Sequence, residues 1–325
     1  TVPTGPYGTR YNDPTHKWID QRGMAEIKAE PKLSETITLL ARAYGNLYQF
    51  DGNLPYDGEV EGEVENGVER YRGVWGGVES RATWQKDDSL RASAGLEAQY
   101  SVLAGLDGKT VYEDGSAEPY MDESRPYGLI AGYAVVDGAP SDWLRYSLGG
   151  RLDVWSTTGP TVNPRAAVIL TPNENDILKV MGGRAFRAPS IYEIGYNDDG
   201  YSQLPSDFDG GELTPEVTWS GEIEYTRKIN EDWSALGSVY GSHTDSLIET
   251  LPFDPSDAES AVIYRNSAVP VLVVGGDAEV RRELRRGWMF TAQGGLMRAR
   301  YLDDAANLIA NAPPVFGSVK VIAPL

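Results

Sequence analysis

The densest gathering of side chains able to hold something lies in residues 191–211, where Tyr192, Tyr196, Tyr201 and Phe208 are interleaved with Asp198, Asp199, Asp207 and Asp209. Aromatic faces give stacking surface and carboxylates give fixed charge, a mixture suited to capturing a rigid polar ligand on a loop. The plainer alternative is a solvated surface loop whose acids hold divalent cations. Glu59, Glu61, Glu63 and Glu65 alternate along the chain and read as a solvated face rather than a metal site. Asp207-x-Asp209-Gly210 lacks the remaining ligand spacing of a calcium loop. Only two histidines exist, His16 and His243, and there is no cysteine, which excludes disulfides, thiolate metal sites and a Cys nucleophile. The sequence contains no nucleophile elbow, phosphate-binding loop, dinucleotide fingerprint or H-E-x-x-H pair. We therefore assign no catalytic residue, no metal and no cofactor. The enzymatic alternative is a soluble β-propeller or sandwich glycosidase using paired carboxylates, but the equal-length repeats of a propeller are missing.

These residues must be carried by strands. Short polar turns fall at residues 31–35, 86–89, 137–142, 172–176, 230–232 and 285–287. Longer Gly-, Asp- and Pro-rich connections fall at 50–70, 105–126, 189–215, 250–260 and 301–314, with a modest link at 157–163. Between them side chains alternate with a period of two. In one strand Leu90, Ala92, Ala94, Leu96, Ala98 and Tyr100 share a face opposite Arg91, Ser93, Gly95, Glu97 and Gln99. In another, Leu144, Tyr146, Leu148, Leu152 and Val154 oppose Arg145, Ser147, Arg151 and Asp153. Residues 217–226 and 288–296 repeat the pattern.

A soluble sandwich would alternate in the same way, apolar side inward. Segments longer than ten residues and tryptophans near strand ends (Trp84, Trp143, Trp155, Trp219, Trp288) favour a membrane barrel with short turns on one side and long loops on the other. In that case Arg91, Glu97, Arg145, Arg151 and Asp153 line the lumen. No apolar run reaches the length of a membrane-spanning helix, and no secretion signal opens the chain. A net charge of -19 argues against a nucleic-acid partner.

The phrase G-R-A-F-R-A-P-S-I-Y-E at residues 183–193, followed by G-E-L-T-P-E at 211–216, resembles the TonB-dependent outer-membrane receptors, where such phrases close one strand and open the next. V-W-G-G-V-E-S-R (74–81), P-R-A-A-V-I-L-T-P (164–172), Y-R-N-S (264–267) and N-A-P-P (311–314) fit the same family in the same order. The resemblance implies an all-β, antiparallel, up-and-down transmembrane β-barrel in the bacterial outer membrane, of which residues 1–325 supply about thirteen of roughly twenty-two strands, without the plug domain. It implies active transport of a scarce nutrient, foremost a ferric siderophore, driven by the TonB complex through that plug, among outer-membrane lipid and lipopolysaccharide. A passive porin-type barrel is the transport alternative. F-R-A-P at 186–189 also resembles the box of haem receptors, but no histidine stands between Pro189 and Pro215 to bind the iron. Arg187 and Pro189 are then expected to serve strand-end and turn geometry.

Overall fold

A computed structural model describes residues 8–58, 63–257, 260–284, 287–303, 309 and 312–324; Glu59, Glu61 and Asn311 lie outside these. In chain order the elements are β1 (Lys17–Ala29), β2 (Ile37–Asp57), β3 (Val64–Asp87), β4 (Leu90–Val111), β5 (Ala117–Ser124), β6 (Tyr127–Ser141), β7 (Leu144–Trp155), β8 (Gly159–Asn173) and β9 (Asp176–Arg187). There follow α1 (Ile191–Gly195), β10 (Gln203–Leu204), β11 (Glu216–Lys228), β12 (Trp233–Asp245), β13 (Ile248–Pro252), β14 (Val262–Asn266), β15 (Val271–Glu283), β16 (Met289–Tyr301) and β17 (Val315–Ile322). Thirteen strands form one antiparallel meander, β1-β2-β3-β4-β6-β7-β8-β9-β11-β12-β15-β16-β17, with β5 folded onto β4. A small sheet of β10, β14 and β13 lies apart from it. β1 and β17 do not pair, so the sheet is an open part of a barrel wall.

Burial decides which medium touches each face. Leu96, Leu148 and Ile223 are 66%, 50% and 47% exposed, with no second layer over them. Their neighbours on the opposite face, Ser101 and Asp153, are 2% and 3% exposed. Pairing aligns the faces across strands: Val180, Ile223 and Val239 form one outward row, while Glu97, Ala131, Asp153 and Thr161 form one polar row. In water each large apolar side chain so displayed forfeits about 1.5–3 kcal/mol. Summed over the sheet this far exceeds a typical net stability of about 5–15 kcal/mol. Hydrocarbon against the apolar face removes the penalty, and a sandwich is excluded. Among the described residues no helix is long and apolar enough to cross a membrane; the crossing is made by strands.

Aromatics border this apolar surface. Trp84, Trp143 and Trp288 stand exposed beside the short turns, and Tyr100 and Trp219 lie toward the long-loop end. From Ala92, which pairs with Trp84, to Tyr100 is about 26 Å of strand, and Leu96 sits midway.

Two connections read as loops are largely strand. β2 and β3 stay paired through Asp57 and Val64, and β4 continues to Val111 before turning into β5. That turn is built by Asp114, whose carboxylate takes the Ser116 N–H at 2.8 Å, and by Gly115 at φ 82°. The expected turn at 137–142 is tighter, because β6 runs to Ser141 and β7 begins at Leu144. Strands β2 to β4, of 21, 24 and 22 residues, exceed the 9–11 or so needed to span, so their upper halves stand clear of the bilayer.

Substituting Leu96 by Arg is expected to cost about 2–4 kcal/mol, the penalty for a cation at the bilayer midplane. Urea unfolding in detergent or lipid, followed by heat-modifiable gel mobility, measures it; an unchanged midpoint would mean this face is not in hydrocarbon.

Candidate functional site

The upper inner wall is re-aimed by a β-bulge. Val74 pairs with Leu103 and Trp75 with Ser101, leaving Val102 unopposed. Below it the odd residues of β4 face the polar side; above it the even ones do, which turns Leu106 onto the face of Tyr71. Leu106 packs there with Met121 of β5 and Tyr196, and Tyr71, Tyr120, Ile191 and Tyr192 close around them. Residues 189–215, separated from this wall by over sixty residues of chain, are thus docked on it rather than free in solvent.

Docking depends on a short helix and one carboxyl group. α1 is started by a capping box: Ser190 Oγ accepts the Glu193 N–H at 3.2 Å, and the Glu193 carboxylate accepts the Ser190 N–H at 2.7 Å. Tyr192 and Tyr196, one turn apart, stack with centroids 4.6 Å apart. At the end of the helix, Glu69 of β3, only 5% exposed, accepts three phenols: Tyr196 at 2.8 Å, Tyr120 at 3.1 Å, and Tyr71. Among the described residues no cation pairs with Glu69. Burial, reinforced by the Glu69 charge, pushes the phenols of Tyr120 and Tyr196 far above the ordinary tyrosine range, so both remain donors.

Arg187 ties the two signature phrases together. Its guanidinium forks onto Glu216, both contacts 2.8 Å, and also reaches both oxygens of Glu193 at 2.8 and 2.9 Å. Glu216 in turn accepts the Ile248 N–H at 2.8 Å. Burial works against the charge on Glu193, but the hydrogen bonds from Arg187 and Ser190 outweigh it and hold the carboxyl below its ordinary range.

The eight loop residues singled out above do different jobs. Tyr196 is buried, and Tyr192 lies edge-on to Tyr71 and Tyr264. Asp198 accepts the N–H groups of Ser202 and Gln203 at 3.0 and 2.9 Å, shaping the loop from within. Asp199 occupies the left-handed region at φ 58° and is exposed. Tyr201 is exposed with its ring against Tyr56, and Phe208 meets Phe253 at 5.5 Å. Asp207 and Asp209 are taken by Arg125 and Arg265. Tyr196, Asp198, Asp199 and Tyr201 converge on one recess of about 460 Å³. Its other phenols, Tyr56, Tyr112 and Tyr120, and its other acids, Asp57, Glu65 and Glu118, come from β2 to β5 and their connections. Among the described residues no Lys, Arg or His lines it. Among the described residues no group of three His, Asp or Glu is arranged to hold a metal.

The model of a TonB-dependent receptor-like β-barrel matches residues 2–321. The chain belongs to this receptor family. No curated protein matches it in sequence. Solved structures that it resembles include the copper transporter OprC (TM-score 0.74, 14% identity, 96% of this chain and 51% of that one). Others are the ferric yersiniabactin uptake receptor FyuA from Yersinia pestis (0.70, 13%, 96% and 48%) and the pyoverdine outer membrane receptor FpvA from Pseudomonas aeruginosa PAO1 (0.65, 14%, 94% and 48%). At these identities the likeness is one of fold, and the chain spans about half the length of these three structures. Family membership places it in the bacterial outer membrane, as a receptor barrel and not an enzyme.

On the polar face of this receptor wall, three of the five charged residues named from sequence are linked. Arg151 bridges Glu97 at 2.9 Å and Asp153 at 2.7 Å, and Tyr44 donates to Glu97 at 3.1 Å. The neighbouring Glu79 is held by Arg42 at 3.3 Å and Tyr133 at 2.6 Å. Arg91 and Arg145 stand nearer the short turns, lining a shared concavity with Asp87, Asp88 and Asp137, and form no ion pair among the described residues.

Replacing Tyr196 by Phe removes one donor from Glu69 and is expected to weaken loop docking by about 1.5–3 kcal/mol. Faster limited proteolysis within residues 189–215, with the barrel intact, is the readout; unchanged protection would refute the anchoring role. The Arg187 clamp carries a pH dependence. Because folding lowers the Glu193 value, its contribution is complete above the ordinary 4.5 and is lost as pH falls below that through the folded value, while Arg187 stays charged. Amide exchange of α1 is therefore expected to accelerate on acidification below about 4.5, and an Arg187→Lys variant, lacking the fork, should show this loss of protection already at neutral pH.

Proposed function

We propose that residues 1–325 form part of the barrel domain of an outer-membrane active-transport receptor for a scarce nutrient, a ferric siderophore, energised by the TonB complex through a plug domain outside this chain. The observation that carries this reading is the family match over nearly the whole chain, joined to a sheet that puts grease outward and charge on its other face. In this reading Arg91, Glu97, Arg145, Arg151 and Asp153 line the lumen. Glu97, Arg151 and Asp153 satisfy one another and stiffen the wall, while Arg91 and Arg145 are available to the plug. The apolar face and its aromatic borders meet lipid and lipopolysaccharide. The docked loop carrying Tyr192, Tyr196, Asp198, Asp199, Tyr201 and Phe208 shapes the mouth, where Asp199, Tyr201 and Phe208 are the exposed members. A recess of about 460 Å³ falls within the usual few hundred to a thousand or so for small ligands.

Uptake of radioiron as a ferric siderophore, by cells relying on the full-length receptor, tests the proposal. Accumulation is expected to saturate and to disappear when TonB is deleted or the proton gradient collapsed. Uptake that persists without TonB would instead identify a passive barrel.

A further inference from the structure

One cross-strand row breaks the apolar pattern of the lipid-facing side. Pairing lines up Arg184, Trp219, His243, Leu272 and Arg300 on β9, β11, β12, β15 and β16. Each stands four residues toward the long-loop end from the row that runs through Val180, Ile223, Val239 and Leu296, and so shares its face. Arg298 points the same way, two residues below Arg300 on β16. The height of the row follows from the strands. Trp233 and His243 are ten positions apart, as are Trp288 and Arg298, with the tryptophan beside a short turn in both cases. Ten residues of strand measure about 33 Å. At a tilt of about 40° they rise about 25 Å, the height of the apolar band of a membrane barrel. The two tryptophans mark one boundary of the hydrocarbon, and the row therefore sits at the other.

Acids outnumber bases by 48 to 29 in this chain, and other arginines of the same face are matched. Arg70 and Arg72 meet Asp51 and Asp107, Arg227 meets Asp176, and Arg282 lies over the Trp233 ring. Arg184 and Arg300 meet no acid among the described residues, and Asp245, two residues above His243 on the same face, is turned to that imidazole at 3.3 Å. Arg184 is also held in place. The ladder between β8 and β9 ends at Arg165–Gly183, where Pro164, next in line, has no N–H to extend it. Arg184 Nη1 bridges the seam instead, donating to the Val162 carbonyl at 2.7 Å and to Asn163 Oδ1 at 3.1 Å, which fixes one end of its guanidinium. Guanidinium forks bind phosphate oxygens, and the half-exposed Trp219 indole beside them suits the edge of the hydrocarbon.

We infer that this row binds the phosphate headgroups of lipids in the leaflet on the long-loop side, with their acyl chains lying down the apolar row below. The inference rests on the outer-membrane wall described under the proposed function and is independent of the cargo. Arg184 and Arg300 are four strands apart, about 19 Å, so the row takes two phosphate groups, one at each end.

The test uses the full-length receptor in phosphatidylcholine vesicles doped with brominated lipid, whose bromines quench a neighbouring indole. The Trp219 signal is isolated by difference from Trp219→Phe. Brominated phosphatidic acid is expected to quench Trp219 at about a tenth of the concentration that brominated phosphatidylcholine needs, given two arginines at the membrane surface. The preference should shrink as salt rises. In the double variant Arg184→Gln, Arg300→Gln the two lipids should become equal, with heat-modifiable gel mobility showing that the barrel has folded. If the double variant does not fold, Arg300→Gln alone, which breaks no hydrogen bond among the described residues, should lower the preference about threefold. Excess inorganic phosphate, which has no chain to bury, should leave the preference in place. Complete displacement by inorganic phosphate would identify a plain anion site and overturn the inference. Equal quenching by the two lipids, or a preference that survives the substitutions, overturns it as well. Trp219 quenched by neither lipid would remove the membrane wall itself, whereas equal quenching together with TonB-dependent uptake leaves the transport reading standing and removes only the headgroup site.

Discussion

Contact between hydrocarbon and one face of the sheet is the condition on which everything else in this molecule depends. A strand with period two can give one face to lipid and leave the other for hydration and hydrogen bonding, but only if every backbone N–H and C=O is paired sideways. The unbroken antiparallel meander supplies that pairing from β1 to β17. With lipid against Leu96, Leu148 and Ile223, the other face is free to hold what a soluble core could not: Glu79 and Glu97 directly opposite each other across β3 and β4. Like charges so placed repel, and the wall offsets this with Arg42, Arg151, Tyr44 and Tyr133. Two of these tyrosines lie over glycines, Tyr44 on Gly77 and Tyr133 on Gly95, where a Cβ would collide with the ring. Missing side chains at these glycines are therefore what lets the phenols lie flat and reach the acids.

Above the bilayer the same strands change their task. The bulge at Val102 reverses which residues of β4 face inward, and the wall passes from charges to Phe50, Tyr71, Leu106 and Met121. A loop can dock only on a surface of this kind, where apolar contact is available and a polar anchor fixes the register. Glu69 is that anchor. One carboxyl group shared by three phenols joins β3, β5 and the end of α1, while Arg187 joins β9 to α1 and β11. The family's signature phrases are thus a mechanical joint, with Glu193 and Glu216 held in one guanidinium fork.

Much of this was legible in the sequence, and the limits have physical causes. Alternation in residues 90–102 and 144–155 placed the charged face correctly because one face is fully committed to lipid, which fixes register strongly. The meander's thirteen strands match the count from turn rhythm because each short turn carries its own Asn, Asp, Gly or Ser chemistry. Residues 105–126 misled because Asp114-Gly115-Ser116 is one tight turn inside a Gly-rich stretch whose flanks pair with each other, while residues 105–111 also continue the pairing with β3. The bulge is invisible to a period-two reading, which if extended past Val102 would carry Leu106 to the wrong face. Glu69 gave no signal at all, since its partner Tyr196 is 127 residues away and nothing local distinguishes one strand glutamate from another. The loop aromatics stood out by composition, but composition could not say that Tyr196 serves as a peg while Tyr201 stays open.

These assignments also bear on where discrimination between ligands can occur. Four acids of the mid-wall are occupied: Glu97 and Asp153 by Arg151, Glu79 by Arg42, Glu224 by Lys179 at 2.6 Å. A side chain already hydrogen-bonded at that distance offers a passing solute little, because a new contact must first break an existing one. At the long-loop end the arginines are spent on holding the chain in place: Arg125 and Arg265 meet Asp207 and Asp209, and Arg10 meets Asp57 at 3.1 Å. The shape of this region is therefore fixed from two points, Glu69 under three phenols and Arg187 between Glu193 and Glu216.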